Sequence, residues 1–178
     1  GTQDIFFEDD TVLFMSVHLY APFFYPGVGG MHEIGVGRGK YHTLNIPFPP
    51  HVGDKGYQLA FDEIIGPRLA NFRPELLLVS AGFDAHWQDP LAMAGLSLPG
   101  FAAITHKLID YAKLHAQGRI LFVLEGGYHL EVLANGVLNT LYALLEKDLI
   151  ADPFGRMPEP EHDATALISR LREHYLLK

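Results

Sequence analysis

The sequence predicts an α/β protein of three layers, α/β/α, built on a mainly parallel sheet. Three observations carry this. Leu76-Leu77-Leu78-Val79 and Ile120-Leu121-Phe122-Val123-Leu124 are short unbroken apolar runs, the pattern of strands buried on both faces. Each run breaks into small residues, Ser80-Ala81-Gly82 and Gly126-Gly127, with polar groups directly behind. Segments of helical length separate the runs, and alternation of strand and helix favours parallel strands joined by right-handed crossovers.

The elements follow in order. Asp4 to Glu8 reads as a short helix and Asp9-Asp10 as a turn. Strands are expected near 12–19, 76–82 and 120–126, with a shorter one from Tyr41 to Phe48 ended by prolines. Gly56 to Phe72 has an apolar helical stripe, and Pro67 should kink or split that helix near Gly66. Leu96 to Gly100 reads as a loop and Phe101 to Gln117 as a helix closed by Gly118. Leu130 to Leu145 is a further helix. His106 and His115 read as solvated or capping residues. Residues 148–161 hold Pro153, Pro158 and Pro160 and read as a surface linker to a terminal helix over 163–177, which Asp163 can cap. No internal repeat is visible, and the length of 1–178 suits one domain or part of a larger one.

Composition narrows the partners. The chain has 178 residues, 48% of them hydrophobic, and a net charge of -8, enough for a real core and unsuited to direct nucleic-acid binding. It has no cysteine, which excludes disulfides and thiolate metal sites, so any metal must use His, Asp or Glu. No apolar run approaches membrane-spanning length, and the expected location is cytoplasmic.

The candidate chemistry gathers at strand ends. In an open parallel sheet, ligands collect outside the carboxyl ends of the strands. Asp84 stands at one such end, followed by His86 and Asp89; Glu125, Tyr128 and His129 stand at another. Asp84 alone reads as a turn or N-cap residue as readily as a metal ligand. Two neighbouring strand ends could aim Asp84 and Tyr128 into one crevice. Tyr20 to Lys40 is a long glycine-rich loop with Phe23-Phe24-Tyr25 ahead of Pro26-Gly27. Aromatic faces there could line a slot for an extended alkyl chain. Phosphate cradling is the rival reading, but no Gly-Lys-Ser/Thr pattern accompanies the glycines.

Ser80-Ala81-Gly82-Phe83-Asp84-Ala85-His86 with Asp89-Pro90-Leu91, and Leu124-Glu125-Gly126-Gly127-Tyr128, resemble the zinc-dependent histone deacetylase family, in the wording of its class II and bacterial amidohydrolase-like branch. The resemblance runs from Gly1 to about Leu145 and covers the second half of that family's catalytic domain, which has the arginase/deacetylase fold. Family members carry a run Asp-x-Asp-Val-His-His-Gly-Asn ahead of the stretch matching Gly1-Thr2-Gln3-Asp4. The resemblance implies that Asp84 is one zinc ligand, with the remaining Asp and His ligands and a His pair for proton transfer in that earlier run. It implies that Tyr128 donates to the oxyanion, and that Phe24 or Tyr25, the latter matching better, walls a substrate channel approached by the bare backbone of Gly126 and Gly127. It implies a potassium ion behind the zinc site, held by the Ser16 hydroxyl and the Val17 carbonyl. His86, Asp89 and Glu125 are expected around this centre rather than in it. His86 takes an outer or surface role, Asp89 orders the loop before Pro90, and Glu125 anchors the Tyr128 loop by accepting backbone hydrogen bonds.

Two functions follow. One is zinc-dependent hydrolysis of acetyl-amide bonds, on acetyl-lysine or acetylpolyamine-type substrates, by a protein that includes the missing half. The other is a non-catalytic interaction or structural module, inactive as an isolated half. In either case the expected partner is the N-terminal half or a self-associated copy, because half a sheet exposes an edge and an apolar face.

Overall fold

The computed structural model describes residues 1–21 and 23–177. Its four strands are β1 (Phe14–Leu19), β2 (Thr43–Phe48), β3 (Leu77–Ala81) and β4 (Ile120–Leu124). The helices are α1 (Thr2–Ile5), α2 (Asp54–Ala60), α3 (Gly66–Phe72), α4 (Leu98–His115), α5 (Leu130–Leu144) and α6 (Thr165–His174). All strand pairing is parallel, as expected. However, β1–β2 and β3–β4 are two separate two-stranded sheets with no ladder between them among the described residues.

The two faces of β1–β2 differ in chemistry because side chains alternate along a strand. Leu44, Ile46 and Phe48 face one way and build the main core with Val52, Tyr57, Ala60 and Ile64 beneath, and with Ile168, Leu171 and Tyr175 of the α6 region. Ser16 and Asn45, paired in register, face the other way, as do His18 and Thr43. At the free edge of β2 the Tyr175 hydroxyl accepts from Asn45 N (2.9 Å) and donates to Asn45 O (2.6 Å), standing in for a neighbouring strand. Burial of this phenol pushes its pKa up to about 12, so the hydroxyl keeps its proton.

Beside β3–β4 the packing is one-sided. Leu77 packs with Ala112 of α4 and with Ala116 just past its end, with Ile120 alongside. On the opposite face Leu78 is 68% exposed, and Leu121 and Val123 are also exposed. Among the described residues this face of the pair has no cover.

Two helix starts differ from the expected ones, and one expected interruption is present. The helical run from Asp54 to Phe72 is split as expected near Gly66, where α3 starts with Pro67 in its first turn. A five-residue π-helical stretch, Phe61–Ile65, precedes α3 and takes up the proline, whose missing N–H and bulky ring would disrupt a regular turn. Helix α4 begins at Leu98 rather than Phe101. Ser97 caps it by accepting from Gly100 N (3.1 Å), and Pro99 occupies the first turn, where its missing N–H costs nothing. Helix α6 begins at Thr165, and Asp163 receives the Thr165 amide (2.9 Å) one step ahead of it. Residues 148–161 carry no regular secondary structure. Among the described residues no helix is long and apolar enough to cross a membrane.

Helix α5 seats against Phe83 through Gly136, where an added Cβ would lie 2.4 Å from the ring. Phe83 is buried and held by Phe101 at 5.3 Å between centroids, so it has little room to yield. Helix propensity alone would make Gly136→Ala stabilising by about 1 kcal/mol. The clash outweighs this, and we expect urea unfolding to show a net loss of about 1–3 kcal/mol. A variant as stable as the parent would show that Phe83 is not confined.

Candidate active site

The β3–β4 ladder runs on past the strands and holds two loops side by side. Glu125 N donates to Ala81 O (3.1 Å) and Phe83 N donates to Gly126 O (2.9 Å). Asp84 and Tyr128 therefore leave adjacent strand ends, the arrangement expected from the sequence. The Asp84 carboxyl lies against bare backbone on both sides. A Cβ at Gly126 or at Gly82 would fall 2.7 Å from it. Gly127 adds a φ of +134, which side-chain-bearing residues rarely adopt.

Asp84 has no cationic side chain paired with it among the described residues. Burial raises its pKa, with the Asp89 charge adding to the rise and a bond from its own backbone amide opposing it. A half-buried carboxylate without a cation, cradled by glycines, suits one donor position of a metal site. The described residues contain no group of three or more His, Asp or Glu that could hold a metal ion. Among the described residues Asp84 is thus a candidate ligand without a ligand set.

Asp89 ties the two loops together. Its Oδ2 accepts from Tyr128 N (2.8 Å), and its Oδ1 accepts from Leu91 N (2.9 Å) and Ala92 N (3.4 Å). It is expected to order the loop before Pro90; its side chain instead holds the turn after Pro90, and it performs the anchoring expected of Glu125. The Glu125 carboxylate instead accepts from the Ser80 hydroxyl (3.2 Å) at an exposed position, and none of the described backbone amides donates to it. The Tyr128 side chain is more than half exposed.

His86 is wholly buried, so its expected surface role is corrected. Its Nδ1 accepts from Gln88 N (3.1 Å), which leaves the proton on Nε2, a buried atom without a partner. The ring lies between Trp87 (5.8 Å) and Phe154 (5.6 Å), and Trp87 Nε1 donates to Gly155 O (3.0 Å). The 148–161 segment thus covers the back of the Asp84 loop. His129, for which no role was expected beyond standing near Tyr128, caps α5 by accepting from Val132 N (3.3 Å).

Ser16 sits on the polar face of β1, 2.9 Å from His18 Nδ1. His18 Nε2 lies 3.0 Å from the Gly29 carbonyl, an acceptor, so Nε2 carries the ring proton and the Ser16 hydroxyl donates to Nδ1. That leaves the lone pairs of Ser16 Oγ free for a cation. Burial holds His18 below the ordinary histidine pKa, so the neutral ring that this pattern needs is favoured. In the glycine-rich loop Phe24 is half-buried, whereas Phe23 and Tyr25 point into solvent.

The comparisons with known proteins decide the family. The family model "Histone deacetylase domain" matches residues 1–144. The chain belongs to the histone deacetylase family. It is 40% identical over 179 residues to a "Probable deacetylase" of Archaeoglobus fulgidus, which covers 100% of this chain and 48% of that protein. It is 43% identical over 128 residues to a "Histone deacetylase-like amidohydrolase" of Pseudomonas aeruginosa, covering 72% of this chain and 33% of that one. Among solved structures, the HDA15 HD domain superposes with a TM-score of 0.86 at 30% identity, over 99% of this chain and 46% of its own. The histone deacetylase Clr3 gives a TM-score of 0.84 at 32% identity, over 98% of this chain and 29% of its own. The chain thus spans half or less of the length of each of these deacetylases. The arginase/deacetylase fold of these domains agrees with the parallel strands and flanking helices seen here.

The buried His86 generates a pH dependence. Its pKa is held down to about 4, chiefly by burial, which outweighs the opposing charge of Asp152. The unfolded chain binds this proton below about pH 6.5. Stability from the neutral ring is therefore complete above pH 6.5 and is lost as pH falls toward 4, by about 3 kcal/mol in all. Urea unfolding at stepped pH should show this slope in the parent and a flatter one in His86→Phe; equal slopes would mean that the ring is not buried neutral.

Proposed function

We propose that the full-length protein hydrolyses the acetyl-amide bond of an acetylated amine, acetyl-lysine or an acetylpolyamine, as a zinc-dependent deacetylase of the bacterial-type branch. The observation that carries this is the pairing of Asp84 and Tyr128 at adjacent strand ends, locked by the Asp89 bond to Tyr128 N (2.8 Å). Membership of a family of deacetylases supplies the reaction class. Zinc, when bound, acidifies a water and polarises the substrate carbonyl. Asp84 fits as one of its oxygen ligands. Tyr128 donates its phenolic hydrogen to the carbonyl oxygen as that oxygen gains negative charge. The Asp89 clamp holds the Tyr128 backbone, so the hydroxyl approaches from a fixed origin. Gly126 and Gly127 keep the approach clear of side chains, and Phe24 and Tyr25 flank the acetylated alkyl chain. Potassium at Ser16 Oγ and the Val17 carbonyl would neutralise the region behind Asp84.

The remaining ligands come from the other half of the domain, or from a second copy of this chain. The exposed apolar face of β3–β4 and the exposed stripe Leu130, Val137, Leu138, Leu141 and Leu144 on α5 support such a partner. The isolated chain of 178 residues, holding one candidate ligand, is accordingly a weak zinc binder and inactive alone.

In the full-length protein, Tyr128→Phe should lower kcat on an acetyl-lysine peptide by about a hundred- to a thousandfold with KM little changed. Asp84→Asn should also lower the zinc content measured after dialysis, because a neutral amide is a poorer ligand for a dication. Near-full turnover in Tyr128→Phe, on the peptide and on an acetylated polyamine alike, would make Tyr128 structural. Stoichiometric, chelator-resistant zinc in the isolated chain would overturn the incomplete-site reading.

A further inference from the structure

We infer that Glu33 is the positioning residue of the aromatic loop, fastening Gly29 and Gly30 to α1 and to the polar face of β1–β2, and so setting where Phe24 and Tyr25 stand. Its Oε1 accepts from Gly29 N (2.9 Å) and Gly30 N (2.8 Å), and its Oε2 accepts from Gln3 Nε2 (2.5 Å). Asn45 Nδ2 donates both to the Glu33 carbonyl (3.2 Å) and to Gln3 Oε1 (2.8 Å). Asn45 is in turn held from beneath by the Tyr175 hydroxyl at the edge of β2. The anchor thus reaches from α1 through β2 to the end of α6.

The loop needs such an anchor because it has two feet. One is the end of β1, where Tyr20 N donates to Phe48 O (2.8 Å). The other is the Gly29–Gly30 pair, which Glu33 grips by its amides while His18 holds the Gly29 carbonyl (3.0 Å). Between the feet, Phe23 and Tyr25 project into solvent and Phe24 N bonds only within the loop, to Ala21 O (3.1 Å). Gly29 has a φ of +96, and a Cβ there would lie 2.6 Å from His18, so this foot is bare backbone that a side chain elsewhere must hold. Burial acts to raise the Glu33 pKa, but the bonds from Gly30, Gln3 and Gly29 outweigh it and leave the carboxyl below its ordinary value. The group stays ionised and takes amide donors in place of a cation.

The inference rests on the deacetylase reading only for what the loop admits, and the test separates the two. In the full-length protein, Glu33→Gln keeps the size but turns amide hydrogens toward the Gln3 amide. Hydrogen exchange followed by mass spectrometry should speed up by about tenfold or more in peptides covering 20–35, and stay unchanged in 77–81 and 120–124. KM for an acetyl-lysine peptide should rise about tenfold with kcat within about twofold, the pattern of lost binding rather than lost chemistry. Unchanged exchange in 20–35, or an equal rise throughout the protein, would overturn the inference, as would a fall in kcat with KM unmoved. If the parent hydrolyses no acetylated amine, the deacetylase reading falls and the exchange comparison still decides the role of Glu33. Should Glu33→Gln not fold, Gln3→Leu removes the partner of Oε2 and must show the same local speeding, or the inference fails.

Discussion

The close approach of the Asp84 carboxyl to bare backbone at Gly82 and Gly126 is the constraint on which the rest of the site depends. The carboxyl can lie there only because two strand ends run side by side, and they do so because the β3–β4 ladder continues through Phe83 N and Gly126 O. That ladder in turn needs both strands pressed onto α4 by Leu77 and Ile120. The placement of the Asp84 carboxyl thus traces back to apolar burial at the start of the same strands. Where side chains would normally fill space between adjacent loops, hydrogen bonds donated to the Asp89 carboxylate hold them together. An arrangement of small residues and one clamping carboxylate gives precision without bulk.

A second polar layer, on β1–β2, works the same way with different parts. Its apolar face supplies stability, since Leu44, Ile46 and Phe48 are buried against the α2 region and α6. Its other face spends that stability on orienting groups: Ser16, His18 and Asn45 each have a partner within hydrogen-bond distance. Buried polar groups of this kind are tolerable only when satisfied, because each lost partner exposes a desolvation penalty of about 1–3 kcal/mol. Satisfaction here requires that the glycine-rich loop, α1 and α6 all be in place together. The loop is long, yet its feet are specified as tightly as a strand.

Much of this was legible in the sequence, and the rest failed for physical reasons. The strands were found because unbroken apolar runs such as 76–79 have few other uses, and Asp84 and Tyr128 because small residues followed by polar ones mark strand ends. The start of α4 was missed because Leu98-Pro99-Gly100 reads as a turn, although a proline in a helix's first turn loses nothing. The anchoring of Tyr128 was assigned to Glu125, the near neighbour, whereas the amide goes to Asp89, 39 positions away. No local pattern encodes such a bond. For His86 an outer-shell or a surface role is expected, and the surface alternative fails because nothing in its own stretch announces Phe154 folding back over it. The separation of the strands into two pairs was equally invisible, since an unbroken apolar run predicts burial on both faces and not who provides it.

That last failure carries information. β3 and β4 have the composition of strands covered on both faces, yet Leu78, Leu121 and Val123 are exposed on one. At about 25 cal/mol per Å2 of apolar surface, leaving several such side chains in water forgoes several kcal/mol, a large share of a typical domain's net stability. The α5 stripe adds to it, with Leu141 and Leu144 uncovered on a helix already packed on its opposite side. A helix apolar around most of its circumference belongs inside a protein. The same half-covered strands carry Asp84 and Tyr128 at their ends, so whatever covers the apolar face lies next to both residues. Under the proposed deacetylase reading, burial of that face and completion of the ligand set would be a single event.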